Sequence, residues 1–265
     1  MPSANANYWL PNRAETMDVT FRVFCFPHAG GGASAYRDWT EEQPPGVEIC
    51  AVQLPGREDR IRESFPEEIV ALARTLADVL LPYLDVPYAL VGNSIGALVA
   101  FELASHLQQW YCLPPIRLVA AASRPPGAGS GLPAVSRLTD TELASAVQDR
   151  YGGIPPEIML EPSHLAAFLP ALRADLAMSE TYQPPPGPPL DCPVTAVVGA
   201  DDMSISCREL AGWSAWTAGA CDCMELPGDH FALLWHRDKV LGPICGEAAA
   251  LVRPAGPVPP TVPGG

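Results

Sequence analysis

Residues 92–96, Gly-Asn-Ser-Ile-Gly, place Ser94 between two glycines at a point where an apolar run gives way to a helical pattern. A serine hydroxyl is a poor nucleophile near neutral pH, so a chain that uses one lifts it out on a sharp turn and aims it at a histidine. Glycine suits both flanking positions, because a side chain at 92 or 96 would crowd the strand against the helix. Tyr88 to Val91 form the short apolar run of a buried strand, and Leu98, Phe101, Glu102 and Leu103 follow at helical spacing. The helix start then supplies N–H groups and a positive dipole end beside the reacting carbonyl. The chemistry this implies is nucleophilic attack on an acyl carbonyl. Without that context, the same five residues would be an ordinary strand-to-helix connection.

Such a serine needs a base, and a carboxylate to orient the base, following it in the order serine, acid, histidine. Residues 193–199 form a late apolar strand whose exit turn is Gly199-Ala200-Asp201-Asp202. Asp202, three residues past Gly199, is the first candidate for the acid, with Asp201 as the alternative. The turn after the next strand, Leu226-Pro227-Gly228-Asp229-His230-Phe231, offers His230 as the base. His28 precedes the serine, His106 lies on the helix after it, His164 falls in an inserted segment, and His236 lies in or near the last helix. These four are expected to be structural or surface histidines.

The tetrahedral intermediate also needs two N–H donors for its oxyanion. Ile95, directly after the nucleophile, is one. The other should come from the loop after the first strand, Phe26-Pro27-His28-Ala29-Gly30-Gly31-Gly32-Ala33, with Ala29 as the donor and Gly30 as the fallback. A glycine-rich loop can also cradle phosphate, but no Gly-Lys-Ser/Thr follows and the spacing is not G-x-G-x-x-G, which argues against nucleotide binding.

The elements that must position these groups alternate along the chain. Strands are expected over 20–27, 47–53, 88–91, 116–123, 193–199 and 221–226, with helices between them, which is the pattern of a doubly wound, mostly parallel α/β sheet with helices on both faces. One helix should start near Pro66-Glu67-Glu68 and bury Ile69, Leu72, Leu76, Val79 and Leu80; another should cover 239–252. Residues 124–190 break the alternation. They hold a capping box (Thr139 with Glu142), a hydrophobic staple from Leu138 to Leu143, and an apolar pattern through Leu165, Phe168, Leu169, Leu172 and Leu176 that Pro170 should kink or divide. Helices inserted beside the nucleophile are the expected form of a lid. The organisation expected is an N-terminal extension (1–18) anchored by Tyr8 and Trp9, one domain (19–253) with the lid inserted at about 124–190, and a Pro/Gly-rich disordered tail (254–265).

The chain has 265 residues, a formal charge of −14 and 48% hydrophobic residues. That suits one globular domain and argues against nucleic acid, whose phosphates require lysine and arginine. No apolar run approaches the roughly 18 residues of a membrane span, and the N-terminal residues lack a basic segment followed by an apolar one. A cytoplasmic monomer without membrane contact is the expectation. The eight cysteines are scattered without a C-x-x-C pair and read as reduced thiols, so metal binding is not expected.

Taken together, Phe-Pro-His-Ala-Gly-Gly-Gly (26–32), Gln-Leu-Pro-Gly-Arg-Glu-Asp-Arg (53–60), the serine turn, Leu-Pro-Ala-Leu-Arg-Ala-Asp (169–175) and Leu-Pro-Gly-Asp-His-Phe (226–231) resemble the type II thioesterases. These are stand-alone α/β-hydrolases accompanying polyketide and non-ribosomal peptide synthases, with relatives in fatty-acid synthesis. The resemblance spans about 20–240. It implies an α/β-hydrolase fold, Ser94, Asp202 and His230 as a catalytic triad, Ala29 and Ile95 as backbone oxyanion donors, and no cofactor. It also implies hydrolysis of acyl groups from the phosphopantetheine arm of an acyl or peptidyl carrier protein. Two positions depart from the family pattern: Asn93 and Ile95 stand where histidine and methionine are usual, Asn93 being expected still to hydrogen-bond near the site and the branched Ile95 to narrow or reshape the acyl channel. Arg57 and Arg60, with Arg62 nearby, are candidates for receiving an acidic carrier protein or the phosphate of its arm; the alternative is a solvated loop paired internally with Glu58, Asp59 and Glu63. Rival functions are a small-molecule esterase, lipase or peptidase, a thioesterase that releases or cyclises a finished chain, and a non-catalytic binding protein on the same fold.

Overall fold

A computed structural model of the chain describes residues 6–11, 13, 18–129 and 131–252. Six parallel strands form one sheet: β1 (Phe21–Phe26), β2 (Val47–Ala51), β3 (Tyr88–Asn93), β4 (Arg117–Ala121), β5 (Val194–Gly199) and β6 (Cys221–Leu226), in the order β2-β1-β3-β4-β5-β6. The register runs from Arg22 opposite Tyr88 to Phe26 opposite Gly92 between β1 and β3, and from Ala89 opposite Arg117 to Asn93 opposite Ala121 between β3 and β4. Parallel strands need crossovers, and crossover helices cover both faces, so the inner strands are mostly apolar rather than alternating. Every residue of β1, β3, β4 and β5 is buried. The edge strand β6 is largely solvent-facing and carries Asp222 and Glu225, charges that discourage edge-to-edge pairing.

Successive side chains divide between the two faces. Phe24, Phe26 and Leu90 pack with the helices α1 (Ile69–Leu80) and α2 (Ile95–Tyr111). Val23, Cys25 and Val91 pack on the other face with Tyr36, Trp39, Val240 and Ile244. The expected apolar stripe of α1 is buried at Ile69, Leu72, Leu76 and Leu80, but the helix starts later than its acidic flank suggests: Glu68 is still extended, with φ −137° and ψ 134°. The last helix runs from Arg237 to Val252, two residues earlier than expected.

The insertion is helical, as expected, with α3 (Asp140–Tyr151), a single turn at Pro156–Met159, and α4 (Pro162–Thr181). Thr139 and Glu142 form the capping box that opens α3, the Thr139 N–H donating to Glu142 at 3.0 Å, and Leu138 packs on the cluster that buries Leu143. Pro170 does not divide α4, which continues through it. Pro170 and Ala166, whose carbonyl loses its partner, both face solvent, where water replaces the missing bond. The insertion has an apolar centre of its own, built on Val135, Leu143, Val147, Leu169 and Leu172.

At the N-terminal side, Ala6–Trp9 form a helical turn rather than an extended segment. Trp9 and Leu10 bury against the main core, whereas Tyr8 is exposed. The expected disordered tail, 254–265, lies outside the described residues. No helix among the described residues is long and apolar enough to cross a membrane.

Candidate active site

Ser94 sits between β3 and α2 with φ +56° and ψ −123°, a conformation that costs a non-glycine residue about 1–3 kcal/mol. Its surroundings enforce it. The Ser94 N–H donates to Ala121 O of β4 at 2.8 Å. A Cβ on Gly92 would overlap the backbone of Gly96, and one on Gly96 would overlap the carbonyl oxygens of Phe26 and Pro27. Both glycines are therefore dictated by backbone against backbone. The contact at Gly96 also brings the loop after β1 against the serine turn.

The acid and the base meet by the same device. A Cβ on Gly199 would overlap the carbonyls of Gly228 and Asp229, so the exit of β5 lies flush on the histidine turn, and the Asp201 N–H donates to Gly228 O at 2.9 Å. His230 Nδ1 lies 2.8 Å from Asp202 Oδ2. Facing a carboxylate, that nitrogen carries the proton, which leaves Nε2 as the free base. The Asp202 side chain is 1% exposed and that of His230 is 5% exposed. Burial pushes the Asp202 carboxyl up, but the hydrogen bond and charge of His230 and two bonds from Ser204 outweigh it and hold the group below its ordinary value. Asp201 faces solvent, which separates the two candidate acids. The imidazole is flanked by Tyr151, with ring centroids 4.9 Å apart, and by Phe231.

Ser204 was not foreseen. Its hydroxyl and its N–H donate to Asp202 Oδ1 at 2.6 and 2.8 Å, and the hydroxyl lies 3.2 Å from His230 Nδ1. A serine two residues after an aspartate is the local signal for such a turn. That signal is too common to stand out on its own.

Ser94, Ile95 and His230 line two adjoining cavities beneath the insertion. One of about 320 Å³ has a mixed polar wall that includes Arg150, Glu180 and Gln183. The other, about 70 Å³, is bounded by Ala29, Val147, Ile154, Leu172 and the rings of Phe168 and Phe231. His28, Gly153, Phe168 and Phe231 also border an outer groove of about 720 Å³. Ile95 lines both inner cavities. The Ala29 N–H has no partner among the described residues, whereas the Gly30 N–H donates to Asp175 Oδ2 at 2.8 Å, so the fallback donor is already engaged.

Three expectations change. Arg57 is 4% exposed, paired with Asp175 and bonded to Pro55 O at 3.2 Å. Arg60 is 5% exposed, chelates Glu63 at 2.8 and 2.6 Å, and lies 3.9 Å above the Trp9 ring. Neither guanidinium is free to dock a carrier protein; each is turned inward because a carboxylate offsets its desolvation. Asn93, expected to hydrogen-bond near the site, is fully buried with neither side-chain polar atom partnered. Of the other histidines, His28 touches the site: its ring meets Phe231 edge-on at 4.9 Å, and burial, with His230 and Arg57 nearby, lowers its pKa to about 4. His236 bonds Pro227 O at 2.9 Å, His106 stacks beside Trp110, and His164 is exposed.

A family model described as the thioesterase domain matches residues 21–246. The chain belongs to the thioesterase family. This thioesterase is 30% identical over 252 residues to the gramicidin S biosynthesis protein GrsT of Aneurinibacillus migulanus, covering 95% of this chain and 98% of that protein. It superposes with a TM-score of 0.79 on the RedJ thioesterase of the prodiginine pathway of Streptomyces coelicolor, 38% identical, covering 86% of this chain and 91% of the other. It also superposes, with a TM-score of 0.80, on the type II thioesterase BorB of the borrelidin biosynthetic cluster, 34% identical, covering 89% and 96%. The α/β-hydrolase fold and the activity class, a thioester hydrolase, follow from that membership.

Proposed function

We propose that this thioesterase removes acyl groups from the phosphopantetheine arm of an acyl or peptidyl carrier protein serving a polyketide or non-ribosomal peptide synthase, acting as a cytoplasmic monomer. The observation that carries the mechanism is the 2.8 Å contact between His230 Nδ1 and Asp202 Oδ2, on the wall of a cavity shared with Ser94. Ser94 Oγ attacks the thioester carbonyl while His230 Nε2 takes its proton. Asp202 orients the ring and stabilises the imidazolium. The N–H groups of Ala29 and Ile95 receive the oxyanion, and collapse expels the arm's thiolate, which takes the proton back from His230. Water, deprotonated by the same nitrogen, then frees the acid from Ser94. Names such as gramicidin S biosynthesis protein and type II thioesterase from a borrelidin cluster support the synthase setting.

The test is intact-mass analysis of carrier proteins loaded with different acyl groups, before and after incubation. The expected result is return of the carrier to its free-thiol mass, and loss of turnover by on the order of 10⁶-fold in Ser94→Ala. Hydrolysis of nitrophenyl esters with no action on any acyl carrier would reject the carrier assignment.

A further inference from the structure

The segment 169–175, Leu-Pro-Ala-Leu-Arg-Ala-Asp, takes no part in the chemistry above. It lies in the middle of α4, where Phe168, Leu172 and Asp175, at spacings of four and three, share one face. That face rests on the glycine loop. A Cβ at Gly30 would stand 2.9 Å from Phe168 and 3.3 Å from the Leu172 Cβ, and Gly30 has φ +74°. Asp175, 1% exposed, accepts the Gly30 N–H through Oδ2. Arg57 grips the same carboxylate with both terminal nitrogens, Nη2 reaching Oδ1 at 3.0 Å, and its Nη1 also donates to Gly31 O at 3.4 Å. One carboxylate, carried by the insertion, thus holds the peptide that directly follows Ala29, and one guanidinium holds the carboxylate and the Gly31 carbonyl.

We propose that Asp175 is a positioning residue for the oxyanion site: through the Gly30 N–H it sets the direction of the Ala29 N–H, with Arg57 locking it in place. The proposal rests on the assignment of Ala29 as an oxyanion donor. It makes the insertion part of the catalytic apparatus as well as a cover over the acyl chain. Misplacing a catalytic group by about 1 Å can cost about 10²-fold in rate, so the orientation of one peptide plane matters.

The experiment compares the full chain with Asp175→Ala, Asp175→Asn and the double variant Arg57→Met/Asp175→Leu. Each is assayed for kcat and KM on an acyl-N-acetylcysteamine thioester, for affinity toward an alkylboronic acid, which adds to a serine hydroxyl as a tetrahedral anion, and for Tm. Asp175→Ala should lower kcat by about 10²-fold with KM little changed, and weaken boronate binding by a similar factor. Asp175→Asn, whose amide oxygen can still accept from Gly30, should lose less. The double variant, which leaves no unpaired charge inside, should recover Tm without recovering kcat. Wild-type kcat and boronate affinity in folded Asp175→Ala or in the folded double variant, whatever the Tm, would overturn the proposal and leave the thioesterase assignment standing. A wild-type protein that neither hydrolyses the thioester nor binds the boronate would sink both together.

Discussion

The sheet and the insertion hold their parts in different ways. At the serine turn and the exit of β5, the critical approaches are backbone on backbone: Gly92 on Gly96, Gly96 on Phe26 and Pro27, Gly199 on Gly228 and Asp229. Nothing there can rotate aside. In the insertion the close approaches are made by rings: Phe168 over Gly30 and Phe231 against Gly153. Rings have other rotamers. Ser94, Asp202 and His230 are therefore set rigidly, while the inner apolar cavity is walled by side chains that can yield. Between the two regions stands the buried Arg57–Asp175 pair, joining the loop after β1 to α4.

That junction offers the largest stability effect. Arg57→Met leaves Asp175 buried without its partner and should cost about 3–5 kcal/mol in urea unfolding. Asp140→Asn, at the exposed partner of Arg173 from the same helix as Asp175, breaks only that surface pair and should cost about 1 kcal/mol or less. Equal costs would mean that the insertion is not tied to the sheet through Asp175. Next, Gly96→Ala should destabilise by about 3 kcal/mol, because two carbonyl oxygens cannot move away from the added methyl. A near-neutral result would deny the rigidity claimed for the turn.

A smaller change is expected from Phe168→Ala, which opens the wall between the inner apolar cavity and the outer groove. It should cost about 1–2 kcal/mol, below the usual range for a fully buried ring, and shift kcat/KM several-fold toward longer acyl chains. An unchanged chain-length profile would show that this wall does not limit the substrate. A pH-dependent effect concerns His28, whose pKa falls from 6.5 to about 4 in the folded chain. Folding favours its neutral form, so its contribution is complete above about pH 6.5 and is lost as the pH drops toward 4. His28→Gln should flatten the fall of Tm over that window. An unaltered slope would place the acid sensitivity elsewhere.

Some of this was legible along the chain and some was not. The inner strands were marked by mostly apolar runs, because a strand covered on both faces buries both of its sides. Ser94, Asp202 and His230 could be located because each follows a strand at a turn whose glycines betray a close approach. Arg57 and Arg60 misled for the opposite reason. A cluster of arginines beside Glu58 and Asp59 looks like a solvated surface, and the carboxylate that draws Arg57 inward lies 118 positions away. Arg60 turned inward onto Trp9, which could be placed beside it only once the N-terminal helical turn was seen to pack on the core. Pro170 reads as a break locally, yet its missing bond falls on the solvent side of α4, and that orientation depends on which face the core claims.

What local order determines in this chain is the alternation of strands and helices, the strained serine turn and the succession of serine, acid and histidine, since each follows from side-chain period or from steric limits within a few residues. Tertiary structure alone decided the rest. It chose Asp202 over Asp201, occupied the Gly30 N–H and buried the arginines, because each of those outcomes depends on which distant group is close enough to offset the desolvation of a polar atom.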